Sequence, residues 1–303
     1  MISSPPEFAV RAVRLEDAEP LAELVAALAD RLGVRIDFGS DDIRDVFRTT
    51  DLEHDAWAWE RDGRLAAFGN LGFRSEDVYT NGFVHPDFFG HGLGTAILGV
   101  AEARARERGA KKLKNGILAA DRRAAALLEA NGYRDVRHYF KMTIELDAPP
   151  TEPEWPEGLE PRPFEREHVR AFYAADDEAF ADERGYVAEP FDEFVEKRLE
   201  RPGFDPMLWT AVWDGDEIAA TLIADRRFGA GWIAGLGVRR PWRRRGLGLA
   251  LLLRSFGQFY ERGERRVALS VDIENPTGAT RLYERAGMRV EREEVLYEKE
   301  LAP

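Results

Sequence analysis

Apolar and polar positions form their clearest pattern in residues 232–263. An uninterrupted apolar run at residues 232–238 predicts a buried strand. A stripe of apolar residues with i, i+3, i+4, i+7 spacing follows and stops before Gly263, which predicts an amphipathic helix. The members of that stripe are Leu249, Leu252, Leu253, Phe256, Phe259 and Tyr260. The predicted order is therefore strand, short loop, helix.

The loop between this strand and helix, residues 239–248, contains five arginines and the glycines Gly246 and Gly248. Glycines allow a tight turn and close approach of a ligand, and the first amides of a helix are free to donate hydrogen bonds. The loop therefore predicts an anion site suited to a diphosphate, although a surface turn with solvated arginines is the alternative. A Walker loop is excluded because Gly-Lys-Ser/Thr is absent, and Leu251 occupies the position of the third glycine of a dinucleotide fingerprint.

The next elements are a strand at residues 266–272, rich in β-branched residues, and a helix behind it. Asn275 is expected to cap this helix, Pro276 to lie in its first turn and Gly287 to end it. Tyr283 falls inside the helix. Asn275 and Tyr283 also have purely structural explanations, as a cap and as a core residue.

The pattern Arg243-x-x-Gly246-x-Gly248, followed by Asn275 and Tyr283, resembles the GCN5-related N-acetyltransferase (GNAT) superfamily over most of residues 159–303. The resemblance implies an α/β (α+β) fold with a mixed, mostly antiparallel twisted sheet flanked by helices. It also implies that acetyl-CoA is bound by Leu236, Gly237, Val238, Arg240, Arg243, Arg244, Arg245, Gly246, Leu247, Gly248, Leu249 and Asn275.

The resemblance also implies roles in the chemistry. Asn275 would bind the pantetheine arm, and Tyr283 would be the general acid for the departing thiolate. The strand before the loop would splay from the strand after it, and the Val238 N–H would polarise the acetyl carbonyl.

The general base is left open by this resemblance. Many family members carry a carboxylate on the strand before the loop, whereas residues 232–238 contain none. Carboxylates elsewhere in the sequence could serve as the base, namely Glu178, Asp182, Glu183, Asp225, Glu294 and Glu298. Each of them also fits a solvated surface charge, and a water chain or an amine of low pKa would need none of them.

The pattern of elements occurs twice along the chain. Fifteen residues separate Gly94 from Gly109, as they separate Gly248 from Gly263. A repeat of this length predicts duplicated domains rather than a solenoid. We expect an N-terminal GNAT-like domain at residues 1–147, a proline-rich linker at 148–158 and a C-terminal GNAT domain at 159–303.

The first copy keeps the signals of the fold but loses much of the chemistry. Phe89 replaces the loop arginine, and Leu128 replaces the tyrosine. Ala120 or Asp121 replaces the asparagine. A leucine cannot protonate a thiolate, so the second copy is expected to be catalytic. The first copy retains its two loop glycines, which leaves residual coenzyme binding open.

Composition narrows the classes of function. A length of 303 residues suggests about two domains, and a formal charge of −13 argues against nucleic acid as a partner. The absence of cysteine excludes disulfides, thiolate metal sites and a cysteine nucleophile, and the five histidines lack metal-ligand spacing. No long apolar run or signal peptide is present, which predicts a cytoplasmic protein without membrane association.

These observations together predict an acetyl-CoA-dependent N-acetyltransferase, monomeric or homodimeric, that moves an acetyl group directly to the amine of a small molecule without a metal. A cysteinyl aminosugar, the acceptor of one tandem branch of the family, is an alternative. That branch has an acidic substrate contact where Trp232 stands here. Alternatives of other classes are a non-catalytic acyl-CoA-binding regulatory protein and a purely structural double domain.

Overall fold

The computed structural model describes residues 5–36, 38–74, 77–183, 185–200, 203–227, 229–275 and 277–301. The strands are β1 (Ala9–Ala12), β2 (Ala56–Arg61), β3 (Arg64–Arg74), β4 (Asp77–Val84), β5 (Lys112–Leu118), β6 (Arg134–Glu145), β7 (Leu159–Pro163), β8 (Thr210–Asp214), β9 (Glu217–Arg227), β10 (Ala230–Val238), β11 (Arg266–Asp272) and β12 (Arg289–Glu300). The helices are α1 (Ala18–Leu32), α2 (Ser40–Arg48), α3 (Leu93–Glu107), α4 (Arg122–Ala130), α5 (Val169–Phe180), α6 (Phe191–Arg198), α7 (Leu247–Glu261) and α8 (Ala279–Arg285). No helix in these ranges is long and apolar enough to cross a membrane.

The chain forms two compact units whose bounds differ from the expected domain bounds. Unit 1 comprises Met1–Tyr139 and Arg292–Pro303, and unit 2 comprises Phe140–Glu291. The last strand explains the difference, because Glu294 to Glu300 of β12 pair antiparallel with β5. The end of the chain therefore completes the sheet of unit 1.

Both units have the mixed, mostly antiparallel sheet that the sequence predicts. In unit 1, β1 to β4 pair antiparallel in sequence order and β5 pairs parallel with β4. In unit 2, β7 to β10 pair antiparallel in sequence order and β11 pairs parallel with β10. The predicted hairpin turn before β3 is confirmed, with Asp62 at φ 51° and Gly63 at φ 73°.

The core of unit 2 surrounds α7, and the helix that the apolar stripe predicts is confirmed. Leu252, Phe256 and Phe259 of the stripe are buried, whereas its other three members are partly buried and Leu251, outside the stripe, is buried as well. Gly263 follows the end of the helix at φ 82°. Helix α8, in contrast, begins later than predicted. Its N-cap is Gly278 at φ 73°, so the cap predicted at residue 275 is wrong. The prediction for Pro276 lies outside the described residues.

Strand β10 contains a β-bulge that changes which helix its residues face. Ile233 pairs with Ala224 and Gly235 pairs with Ile223, so one extra residue is inserted in β10. Before the bulge, a Cβ on Gly231 would lie 2.7 Å from the Phe259 ring of α7. After the bulge, Gly235 and Gly237 face α5, whereas Leu236 faces the start of α7.

The predicted splay beyond the bulge is visible in the pairing of β10 with β11. Among the described residues, their parallel register includes only the pairs Gly231–Val267 and Trp232–Ala268. The following residues of β10, up to Val238, therefore have no partner on β11. Their backbone edge on that side is open to a ligand.

The close contact at Gly231 gives a stability prediction. Gly231→Ala should lower the free energy of unfolding by about 1–3 kcal/mol, because the rigid Phe259 ring cannot make room for the new methyl group. Gly257→Ala is the matched control. In α7, a Cβ at that position meets only Pro150, at 3.9 Å, and alanine favours helix by up to about 1 kcal/mol. Denaturant unfolding of both variants measures the difference, and equal stabilities would contradict the packing argument.

Candidate active site

The loop between β10 and α7 presents a row of free backbone amides. Arg244 at φ 62° and Gly246 at φ 91° adopt left-handed conformations, and Gly246 is the N-cap of α7. Among the described residues, the amides of residues 244–248 donate to no other backbone carbonyl. Free amides at a helix start attract anions, so this loop has the form of a diphosphate site.

Gly248 lets α8 approach the start of α7. A Cβ on Gly248 would lie 2.8 Å from Cδ2 of Leu282 and 3.7 Å from Cδ2 of Leu236. The loop glycine, the end of β10 and the helix that carries Tyr283 therefore lie side by side. Sequence positions far apart in the chain meet at one place in unit 2.

The guanidinium of Arg243 is bound by other groups of the protein and is not available to a ligand. Its Nε donates to the Val238 carbonyl at 2.9 Å, and its Nη2 donates to the Ala179 carbonyl at 3.1 Å. Its Nη1 lies 2.7 Å from Oδ2 of Asp182. Arg243 therefore joins the end of β10 to the end of α5 and shapes the loop.

The other arginines fall into two groups. Arg239 pairs with Glu178 at 2.7 Å, and Arg240 pairs with Asp182. The guanidinium groups of Arg240 and Arg243 hold the pKa of the Asp182 carboxyl well below its usual range. Arg244 and Arg245 are exposed and, within the described part of the chain, form no ion pair. These two side chains are the ones available to an anion.

Tyr283 and Asn275 both lie near Glu183, which follows α5. Tyr283 is buried, and its dehydration, with a smaller effect of Glu183, raises the pKa of its phenol to about 12. Asn275 donates from Nδ2 to Oε1 of Glu183 at 3.0 Å. The Oδ1 atom of Asn275 accepts from the Thr277 amide at 2.9 Å, which holds the turn before α8. The two residues singled out by sequence are therefore brought into one region.

Most of the carboxylates named as base candidates are bound by cations. In unit 2, Glu178 and Asp182 pair with loop arginines, and Asp225 pairs with Arg227. Glu294 and Glu298 belong to unit 1, where they pair with Arg292 and Lys112. Glu183, the sixth candidate, accepts a hydrogen bond from Nδ2 of Asn275.

One carboxylate that the sequence analysis did not consider lies next to this region. Asp176 of α5 is half-buried and accepts a hydrogen bond from the Thr221 hydroxyl at 2.7 Å. A signal was present in the sequence, because Asp176 follows Phe172 by four residues and precedes Ala179 by three. Those spacings place a charge on the buried face of the helix.

Unit 1 has a cavity at the equivalent loop, where Phe89 and Leu128 stand in place of Arg243 and Tyr283. The cavity has a volume of about 300 Å³ and is lined by residues that include Phe88, Phe89, Gly92, Leu93, Leu127 and Leu128. The guanidinium of Arg123 lies over the Phe89 ring, 4.5 Å from its centroid. Leu128, in the place of the tyrosine, is buried.

Two units of this strand topology, each with an open strand edge before a glycine-containing loop, define a tandem N-acetyltransferase. The family model described as the acetyltransferase (GNAT) family matches residues 25–133 and again residues 141–288. The chain belongs to the GNAT family of acetyltransferases, whose members use acetyl-CoA.

Individual relatives span between 71% and 99% of the chain. A mycothiol acetyltransferase of Nocardiopsis dassonvillei is 30% identical over 96% of this chain and 92% of its own length. A mycothiol acetyltransferase of Thermobispora bispora is 32% identical over 71% of this chain and 74% of its own length. A crystal structure of a GCN5-related N-acetyltransferase from Sphaerobacter thermophilus is 37% identical, with a TM-score of 0.90, and covers 99% of this chain and 98% of its own.

The ion pairs behind the loop give a testable prediction. Asp182→Asn removes the carboxylate that holds both Arg240 and Arg243, so the hydrogen-bonded amides of Arg239, Trp242 and Arg243 should exchange hydrogen about two- to fivefold faster. Hydrogen exchange followed by mass spectrometry measures this. Glu178→Gln is the control, because Arg239 keeps its 2.9 Å bond to the Ile218 carbonyl. Unchanged exchange in Asp182→Asn would show that the loop holds its shape without these pairs.

Proposed function

We propose that unit 2 transfers the acetyl group of acetyl-CoA directly to the primary amine of a small molecule. The observation that carries this proposal is the open edge of β10 after Trp232, which leads into the free amides of residues 244–248. An extended pantetheine arm needs backbone partners, and a diphosphate needs amides and cations. Unit 2 offers both in succession.

The residues of unit 2 fit acetyl-CoA as follows. The amides of residues 244–248, with the exposed side chains of Arg244 and Arg245, would hold the diphosphate. Leu236 to Val238 would pair with the pantetheine arm, and Asn275 would contact the arm from the other side. The role of Arg243 is to position the loop, because its guanidinium is engaged by protein groups. Acetyl-CoA supplies an activated thioester.

Tyr283 is assigned the role of general acid. Burial raises the pKa of the phenol to about 12, so the hydroxyl keeps its proton at every pH at which an enzyme of this kind works. The same dehydration would raise the pKa of a thiolate beside it, which offsets the weaker acidity of the buried phenol. Unit 1 has Leu128 at this position and offers no equivalent donor.

For the acceptor, the relatives suggest one specific class. Two relatives at 30% and 32% identity carry the name mycothiol acetyltransferase, which favours a cysteinyl aminosugar as a second candidate beside other small amines. The strand that carries an acidic substrate contact in that branch has Trp232 here, and the Lys141 ammonium lies 6.0 Å from its ring centroid. An acceptor would therefore meet different chemistry at this position, which keeps other amines in first place.

The diphosphate assignment predicts a loss of binding. Replacing Arg244 and Arg245 together by glutamine should weaken acetyl-CoA binding about tenfold, because two exposed cations are removed. The salt dependence of binding should fall as well. Calorimetric titration at two salt concentrations measures both effects. Arg162→Gln in β7, where Arg162 pairs with Glu160 at 2.6 Å, is the matched control and should bind as the unaltered protein does. Equal affinity in all three proteins would remove the two arginines from the coenzyme site.

The catalytic assignment predicts a loss of turnover. With acetyl-CoA and a panel of amines that includes a cysteinyl aminosugar, the protein should release free thiol. Tyr283→Phe should lower kcat about 100-fold without changing acetyl-CoA affinity, because the phenol acts only as charge develops on sulfur. Tyr133→Phe, at a buried tyrosine of unit 1, is the control and should keep full turnover. Coenzyme binding without thiol release for any amine would instead support a non-catalytic acyl-CoA-binding protein.

A further inference from the structure

The reaction needs a group that removes the proton of the acceptor ammonium, and β10 supplies no carboxylate for it. Asp176 differs from Glu178 and Asp182, the base candidates that loop arginines bind, because it forms no ion pair within 4 Å in the part of the chain that the structure describes. Its observed partner is the hydroxyl of Thr221, at 2.7 Å.

Asp176 lies beside the segment of β10 that is open on the β11 side. Thr221 of β9, its hydrogen-bond donor, is directly opposite Gly237 in the register of the two strands. A Cβ on Gly237 would lie 3.1 Å from Oγ1 of Thr221 and 2.7 Å from Cβ of Ala179. Helix α5 therefore touches the backbone of β10 at Gly237. The Asp176 carboxylate, one turn before Ala179, is fixed next to that contact.

The surroundings of Asp176 suit a group that must accept and release a proton. Dehydration by the surrounding protein raises the pKa of the Asp176 carboxyl to about 6. The charged and titratable groups that face it are Asp177 of α5, Glu183 and Tyr186 after α5, and Arg198 of α6. Asp177 and Glu183 raise the pKa, whereas Arg198 and the Thr221 hydrogen bond lower it. Asp176 as a residue keeps partial exposure, although its carboxyl group is largely dehydrated.

We propose that Asp176 is the catalytic base that takes the proton from the acceptor ammonium, with Thr221 holding the carboxylate in place. This assignment rests on the proposed function. It explains why an enzyme without a carboxylate on β10 can use an amine that is protonated at neutral pH. The base comes from the helix that packs on the strand.

The protons and bonds of the reaction balance with this assignment. Asp176 takes one proton from the ammonium and passes it to water. The free amine then forms the carbon–nitrogen bond while the carbon–sulfur bond breaks. Sulfur receives the proton of Tyr283, and the second proton lost from nitrogen restores the phenol. One acetyl group is transferred, one free thiol is formed and one proton is released to solvent.

The test is the pH profile of thiol release at limiting amine concentration, for the full chain with acetyl-CoA. In the unaltered protein, activity should fall below about pH 6, because Asp176 must be ionised to accept a proton. Asp176→Asn should lower kcat/KM about 100-fold and abolish this acid limb. Thr221→Val keeps the carboxylate but removes the hydrogen bond that lowers its pKa, so the limb should move to higher pH.

A third variant should shift the acid limb in the opposite direction and serves as the control. Asp177→Asn removes a like charge, so the acid limb should move to lower pH while the plateau rate is kept. Thermal unfolding of all variants checks that they are folded, and Thr221→Val decides the question if Asp176→Asn is not folded. An acid limb that is the same in every folded variant would overturn the assignment of Asp176 alone. A protein that releases no thiol with any amine would overturn the proposed function and, with it, this inference.

Discussion

The extra residue in β10 is the constraint on which the arrangement of unit 2 depends. Without the bulge between Ile233 and Gly235, Gly235 and Gly237 would lie on the same face as Gly231, which packs on α7. With the bulge, Gly237 faces α5 instead. The splay of β10 from β11 is a separate feature, because β4 of unit 1 also leaves β5 after Thr80 although its described register with β3 contains no bulge. The bulge thus places the open edge of β10 against the helix that carries Asp176.

The backbone packs closely at Gly231, Gly237 and Gly248, because a methyl group at any of them would meet a neighbouring atom at 2.7–2.8 Å. Backbone that touches helices on both faces cannot shift without losing packing. The same density dehydrates Asp176 and Tyr283 and raises the pKa of both groups. Close packing is therefore also the cause of the raised pKa values of these two groups.

Electrostatics divides the arginine-rich loop into structural and available charges. Arg239, Arg240 and Arg243 are compensated by carboxylates of the α5 region, so the net positive charge facing solvent comes from Arg244 and Arg245. Unit 1 has Phe89 in the loop and a guanidinium from Arg123 over its ring, so its cation comes from a different element. The two copies share a fold while their loops differ in the charge that they present.

The sequence by itself determined the duplicated α/β fold, helix α7 and the strand at residues 266–272, because these depend on local periodicity and on glycine and arginine spacing. It could not locate the start of α8, where the turn at Asn275 and the left-handed Gly278 outweigh the local capping signal. It also did not distinguish Arg243 from Arg244, or find Asp176. Those distinctions depend on which atoms of distant segments meet, such as Arg243 with Ala179 and Thr221 with Asp176. Only tertiary packing decides them, because burial and hydrogen-bond partners are set by residues far apart in the chain.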